Sequence, residues 1–203
     1  MIVIVDYKLG NLNALQNSIR KIGYEATITS DITQIKNATK LILAGVGHFA
    51  KAIENINLLN LKDIIKEKVL IHKTPIIGIC LGMQLLTDFS EEGQVDGLSL
   101  IKAKTLKFSF SDNTIKIPHV GWNNIKIKRQ NILLENIPDD AQFYFTHSYY
   151  VTCEKEDNIV ATTNYGHDFD SIINNENIWG VQFHPEKSHK QGLDLLKNFI
   201  ENA

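Results

Sequence analysis

Cysteine is scarce in this chain: its 203 residues hold only two, Cys80 and Cys153. Two thiols cannot build a disulfide scaffold, and no paired Cys/His spacing points to structural zinc. An excess of either charge is also missing. A net charge of −2 gives no reason to expect nucleic acid or an anionic membrane as a partner. No run approaches the ~18 consecutive apolar residues of a membrane-spanning helix. "MIVIVDY" opens the sequence without a basic flank or a cleavage site, so the expectation is a soluble cytoplasmic protein without a signal peptide. Repeats, low-complexity tracts and linkers are likewise absent, which favours one domain over residues 1–203. A chain of that length can bury a substantial core.

What is present alternates. Ile2–Val5 is a short apolar run. "GNLNALQNSIRKIG" then carries Leu12, Leu15, Ile19 and Ile22 at helical spacing and stops at Gly23. "KLILA" reads as a second buried strand, and helices are expected around Phe49–Ile56 and Leu61–Leu70. Ile76–Ile79 is a third buried strand, feeding a helix from Cys80 to about Phe89. From about Ile101 the pieces become strand-like: "IKAKTLKFSF", "WNNIKIK", "FYFTHSYYV", "NIVATTNY" and "SIINNENIWGVQF". A helix over Gly192–Ile200 closes the chain. Strands alternating with helices predict an α/β fold with a mostly parallel, doubly wound sheet, and the C-terminal half adds further strands.

One corner asks for an explanation. In "PIIGICLGMQLL" a cysteine stands between Gly78 and Gly82, where the apolar strand meets the helix. A sharp strand-to-helix turn strains its apical residue and needs neighbours without side chains, the arrangement of a nucleophile elbow. Such a turn lifts the sulfur above the sheet edge. It also places a helix N-terminus beneath it, with the Leu81 N–H available to a developing oxyanion. The pentapeptide alone fits a buried cysteine in a tightly packed strand–helix unit equally well.

A nucleophilic thiol needs a base, and the base needs orienting. "GVQFHPEKS" offers His184 and Glu186 around Pro185. In extended chain the two side chains leave on the same face, and the proline keeps His184 out of helical conformation. Singly each is an ordinary surface or capping residue; together with the elbow they form a candidate triad.

"GICLGMQLL" with "GVQFHPEKS" resembles the class I, triad-type glutamine amidotransferases. "IVDYKLGNL", "AGVGHF", "SEEG", "PHVGWN" and "FYFTHSYYV" narrow the resemblance to the glutaminase subunits of imidazole glycerol phosphate synthases. The motifs cover essentially the whole chain. The resemblance implies a single-domain class I amidotransferase fold over residues 1–203 with additional antiparallel strands in its C-terminal half.

Roles follow by the same resemblance. Cys80 attacks the glutamine amide, His184 serves the leaving ammonia and then water, and Glu186 orients His184. Val46, in Gly45-Val46-Gly47, joins Leu81 as oxyanion donor; glycines on either side allow close approach and a peptide flip. Gln84, Glu92 and backbone at Gly47, His147 and Ser148 contact glutamine. Without the other motifs "GVG" would be an ordinary loop, and "SEEG" a solvated turn. Gly10, Asn11, His119, Trp122, Asn123 and Lys187 are expected to face a (β/α)8-barrel cyclase in a heterodimer. The bland alternatives there are packing residues and a solvated lysine. The resemblance implies no metal and no organic cofactor.

Two positions depart from the family pattern. Ala44 stands where proline usually precedes Gly-Val-Gly, and Lys8 occupies a turn where small residues are common. Cys153 is expected to be structural, and His48, His72, His167 and His189 carry no assignment. The leading expectation is a glutaminase feeding histidine synthesis. A paralogous glutaminase serving a bacterial surface-sugar amidotransferase shares the same motifs. A catalytically silent binding module is a third reading, and the intact triad argues against it.

Overall fold

The computed structural model describes residues 1–203. Its first half winds strands and helices alternately: β1 (Ile2–Val5), α1 (Leu12–Lys21), β2 (Ala26–Thr29), α2 (Ile32–Lys36), β3 (Lys40–Gly45), α3 (Phe49–Leu58), α4 (Leu61–Lys66), β4 (Ile76–Cys80) and α5 (Leu81–Leu85). Shorter strands follow: β5 (Phe89–Ser90), β6 (Val95–Asp96), β7 (Ala103–Lys107), β8 (His119–Asn124), β9 (Lys126–Ile127), β10 (Gln142–His147) and β11 (Tyr149–Cys153). The chain ends with β12 (Ile159–Tyr165), β13 (His167–Asn175), β14 (Ile178–Val181) and α6 (His189–Asn202).

One twelve-stranded sheet runs β2-β1-β3-β4-β14-β13-β11-β7-β5-β6, with β12 and β9 attached through β13. The block from β2 to β14 is parallel, and the pairings from β14 to β7 are antiparallel. Helices cover both faces, which is why "IVIV" and "IIGIC" are apolar throughout rather than alternating. On one side Leu12, Leu15 and Ile19 of α1 share a core with Leu195, Leu196 and Phe199 of α6. On the other, Phe49, Leu61 and Leu81 from α3, α4 and α5 pack with Val5 and Leu43. The doubly wound sheet is therefore as expected.

Several boundaries differ from expectation. β2 and α2 had no clear pattern to announce them. β2 buries only Ala26, and α2 is a five-residue turn capped by Asp31. The second helix of the α3–α4 pair passes at Glu67 into a π-helical turn ending at Ile71. The elbow helix is shorter than expected. Leu86 and Thr87 bond back to the Met83 and Gln84 carbonyls, and the Asp88 N–H then pairs with Ala103 and draws the chain into β5. "FYFTHSYYV" divides at Ser148: β10 pairs with β8 in a separate two-stranded sheet, and β11 pairs with β7 and β13 in the main one. "SIINNENIWGVQF" folds back on itself as β13 and β14.

The topology explains how distant motifs meet. β3, β4 and β14 are neighbouring parallel strands, with Gly45 opposite Cys80 and Ile79 opposite both Ala44 and Val181. Their C-terminal ends therefore present "AGVG", Cys80 and "QFHPE" at one edge, where open α/β sheets hold their sites.

Candidate active site

Cys80 sits at φ +53°, ψ −109°, outside the regions ordinary residues occupy. The glycines that flank it are now explained. A Cβ on Gly78 would lie 2.5 Å from the Gly82 carbonyl oxygen, and one on Gly82 would overlap the Leu43 carbonyl. The two arms of the elbow touch each other, and α5 lies directly on β3. Cys80 is 5% exposed. Its sulfur lies 3.9 Å from the Thr146 carbonyl oxygen and 3.7 Å from Gln182 Nε2.

His184 leaves the end of β14 in extended conformation, but Glu186 does not continue as strand. Pro185–Lys187 form a single 3₁₀ turn, closed by Lys187 N–H donating to the His184 carbonyl. Pro185 at the first position pre-sets that turn. The extended geometry expected of the pair is thus wrong, yet the side chains meet: His184 Nδ1 is 2.8 Å from Glu186 Oε1. The Ser188 hydroxyl fixes the His184 carbonyl from the other side. His184 Nε2 is buried without a hydrogen bond and is the electrostatic neighbour of the Cys80 sulfur. Burial alone would lower the imidazole pKa; the neighbouring Cys80 sulfur and the Glu186 carboxylate outweigh it and raise the value above the ordinary range. The site favours an imidazolium at His184.

A cleft of about 250 Å³ opens over the sulfur, lined by Val46, Gly47, Leu81, Gln84, Glu92, His147 and Ser148 among others. Every residue expected to hold glutamine or its oxyanion therefore lies around one cavity. Gln84 Nε2 donates to the Tyr149 carbonyl at 3.0 Å and to Gln182 Oε1 at 3.1 Å. Glu92 accepts the Phe49 N–H at 2.7 Å, which ties it to the first turn of α3. A smaller cavity of about 110 Å³ is lined by Asn11, Ala44, Val46, His184, Glu186 and Lys187 among others.

The residues expected at a partner face divide. Trp122 is 41% exposed and stacks on His189, while Lys187 Nζ lies 5.6 Å over the Tyr144 ring. Gly10 lies on the surface, and a Cβ there would come within 2.8 Å of Gly45 Cα and 3.0 Å of Val46 N. The surface turn and the Gly45–Val46 backbone are in direct contact. His119 does not belong on a contact surface: it is 2% exposed and stacked on Tyr165 and Phe145. Its Nδ1 is 3.0 Å from His147 Nε2, and Asn123 Nδ2 is 3.3 Å from its Nε2. Burial lowers His119 to about 4. Burial, outweighing the Tyr149 bond and helped by the charges of His119 and His184, lowers His147 to about 3.

Two residues at the site went unnoticed in the sequence. Gln182 stands two before His184, so period-two alternation could have placed it on the same side. Tyr7 is fully buried, its hydroxyl pressed against Gly45 and without a hydrogen-bond partner; nothing in "VDYKLG" announces that. Lys8 adopts φ +65°, which accounts for small residues in that turn, and its amine pairs with Asp6 at 2.7 Å. His48 caps α3 through Nδ1.

The glutamine amidotransferase class-I family model matches residues 3–203. The imidazole glycerol phosphate synthase subunit HisH 2 of Methanococcus maripaludis is 53% identical over 203 residues, covering 100% of both chains. The HisH subunit of Leptospira borgpetersenii is 40% identical and covers 98% of each. A solved glutamine amidotransferase superposes with a TM-score of 0.77 at 15% identity, over 99% of this chain and 98% of that one. With its elbow cysteine, histidine and glutamate gathered at one sheet edge, the chain belongs to the class-I glutamine amidotransferases and, among them, to the HisH subunits of imidazole glycerol phosphate synthase.

Proposed function

We propose that residues 1–203 act as one glutaminase domain that hydrolyses glutamine and hands the ammonia to a synthase subunit in histidine biosynthesis. The observation that carries this reading is the cluster of Cys80, His184 and Glu186 in a chain with full-length HisH relatives. The Cys80 thiolate attacks the side-chain carbonyl carbon of glutamine. The Leu81 and Val46 N–H groups hold the tetrahedral oxygen, and His184 gives its proton to the departing nitrogen, releasing ammonia and leaving a thioester. His184, neutral again, takes a proton from water, which attacks the thioester; glutamate leaves and the thiolate returns. Gln84 and Glu92 are acceptors suited to the substrate ammonium, with Gly47, His147 and Ser148 supplying backbone. These steps need no metal or organic cofactor.

Ammonia released into neutral water would be protonated and lost to synthesis. The smaller cavity between His184, Asn11 and Lys187 supports delivery toward a face that includes Gly10, Trp122 and Asn123. We assign that face to a (β/α)8-barrel cyclase in a cytoplasmic heterodimer. The joint product would be imidazole glycerol phosphate together with the aminoimidazole carboxamide ribotide. No helix is long and apolar enough to cross a membrane. A surface-sugar client is not favoured by relatives that carry the imidazole glycerol phosphate synthase name. Expression of the chain should restore growth without histidine to a strain lacking its own glutaminase subunit, and Cys80→Ala should not. Failure of the wild type, co-expressed with its cognate cyclase, would overturn the histidine reading.

A further inference from the structure

Gln182 has no part in the steps above, yet it is fully buried and touches the sulfur. Which end of its amide faces Cys80 is settled by a backbone group some distance away. The Tyr149 carbonyl can only accept. It takes His147 Nδ1 at 2.7 Å and Gln84 Nε2 at 3.0 Å. With its nitrogen pinned there, Gln84 has only a second N–H to offer Gln182, at 3.1 Å, so the Gln182 oxygen must face Gln84. The Gln182 nitrogen is then left for the sulfur, 3.7 Å away.

We propose that Gln182 is a positioning residue for the nucleophile, donating an amide N–H to the Cys80 sulfur in an orientation imposed by Gln84 and the Tyr149 carbonyl. Besides His184, the sulfur has the Thr146 carbonyl at 3.9 Å, which can receive a thiol proton but repels a thiolate. The donor from Gln182 therefore favours the reactive form, as hydrogen bonds to charged groups are about twice as strong as neutral ones. It also links the two halves of the site. Gln84 lines the cleft, and its amide oxygen takes no protein donor. A glutamine ammonium bound to that oxygen tightens the same chain of amides that ends on the sulfur.

The inference rests on the glutaminase reading only for its kinetic arm; alkylation of Cys80 tests it alone. In a Cys153→Ser background, the second-order rate of Cys80 with iodoacetamide at fixed neutral pH should fall roughly tenfold or more in Gln182→Met. In the complex with the cyclase, kcat for glutamine should fall in parallel while KM stays within about twofold. Gln84→Glu is the sharper test. A carboxylate between the Tyr149 carbonyl and Gln182 has no proton to give, so the Gln182 amide must turn over and withdraw its donor. Alkylation should then slow as in Gln182→Met, although Gln182 is intact. Thermal melting identifies variants that fail to fold; if Gln182→Met is one, Gln182→Glu and Gln84→Glu carry the test. Alkylation at the wild-type rate in a folded variant, or a raised KM at unchanged kcat in Gln182→Met, overturns the proposal. A wild type that alkylates normally but does not hydrolyse glutamine with its cyclase overturns the glutaminase reading instead.

Discussion

Glu186 Oε1 and His184 Nδ1 meet at 2.8 Å across the start of one 3₁₀ turn, so the proposed base and its carboxylate are held by the same short piece of backbone. Because the turn and the Ser188 hydroxyl already hold the His184 backbone, loss of the carboxylate misplaces the imidazole without removing it. Glu186→Ala should cost less than His184→Ala, where loss of a triad member reaches roughly 10⁴ or more in kcat. Glutaminase rates of both variants with the cyclase decide this. A wild-type rate in Glu186→Ala would make the carboxylate a bystander.

Cys80→Ala should abolish glutamine hydrolysis and leave the melting temperature and cyclase binding close to wild type. With ammonium salts supplied directly, the complex should still form product. Release of glutamate near the wild-type rate would overturn the triad assignment.

Ala44 lies past Ile42, the last β3 residue paired with β1, and stands opposite Ile79 of β4. Proline there would restrict the peptides leading into Gly45-Val46-Gly47. Ala44→Pro should lower the glutaminase rate of the isolated chain and keep the coupled rate, since a missing oxyanion donor is worth about 10²–10³. An unchanged isolated rate would show that Ala44 does not tune the strand.

His119 and His147 titrate in the folded protein at about 4 and about 3, below the 6.5 expected when unfolded. Folding therefore resists their protonation, and the stability they contribute is present above pH 6.5 and lost as pH falls toward 4. His184 is shifted the other way, so its contribution is already complete below 6.5 and does not change in this window. Melting temperature should drop between pH 6.5 and 4.5. In His119→Asn the drop should be smaller by roughly 2–4 °C per pH unit. Parallel curves for the two proteins would remove these histidines from the acid response.

Much of this was legible beforehand because the strands beneath the site are buried on both faces and read as apolar runs. "KLILAG" and "IIGIC" could hardly be anything else, and the glycines around Cys80 signalled a close approach that the Gly82–Leu43 contact bears out. β2 was hidden because an edge strand that buries only Ala26 needs no apolar run. The pairing of His119 with His147 was hidden for a different reason. It depends on β8 and β10 aligning those residues in register, and single-sequence patterns carry no register. Gln182 illustrates the same limit: a buried amide looks like any other polar residue until its neighbours are known.

The seam between β4 and β14 has one more consequence. The chain leaves the parallel block at Cys80 and returns to the adjacent strand at Ile178, so everything between is an excursion from a fixed platform. The platform holds Cys80, His184 and the Gly45-Val46-Gly47 turn at the ends of its strands. The excursion supplies Trp122, Asn123 and the wall of the cleft at His147 and Ser148. Variation in the part of that excursion beyond β7 can reshape the cleft wall and the Trp122 surface without moving the seam itself.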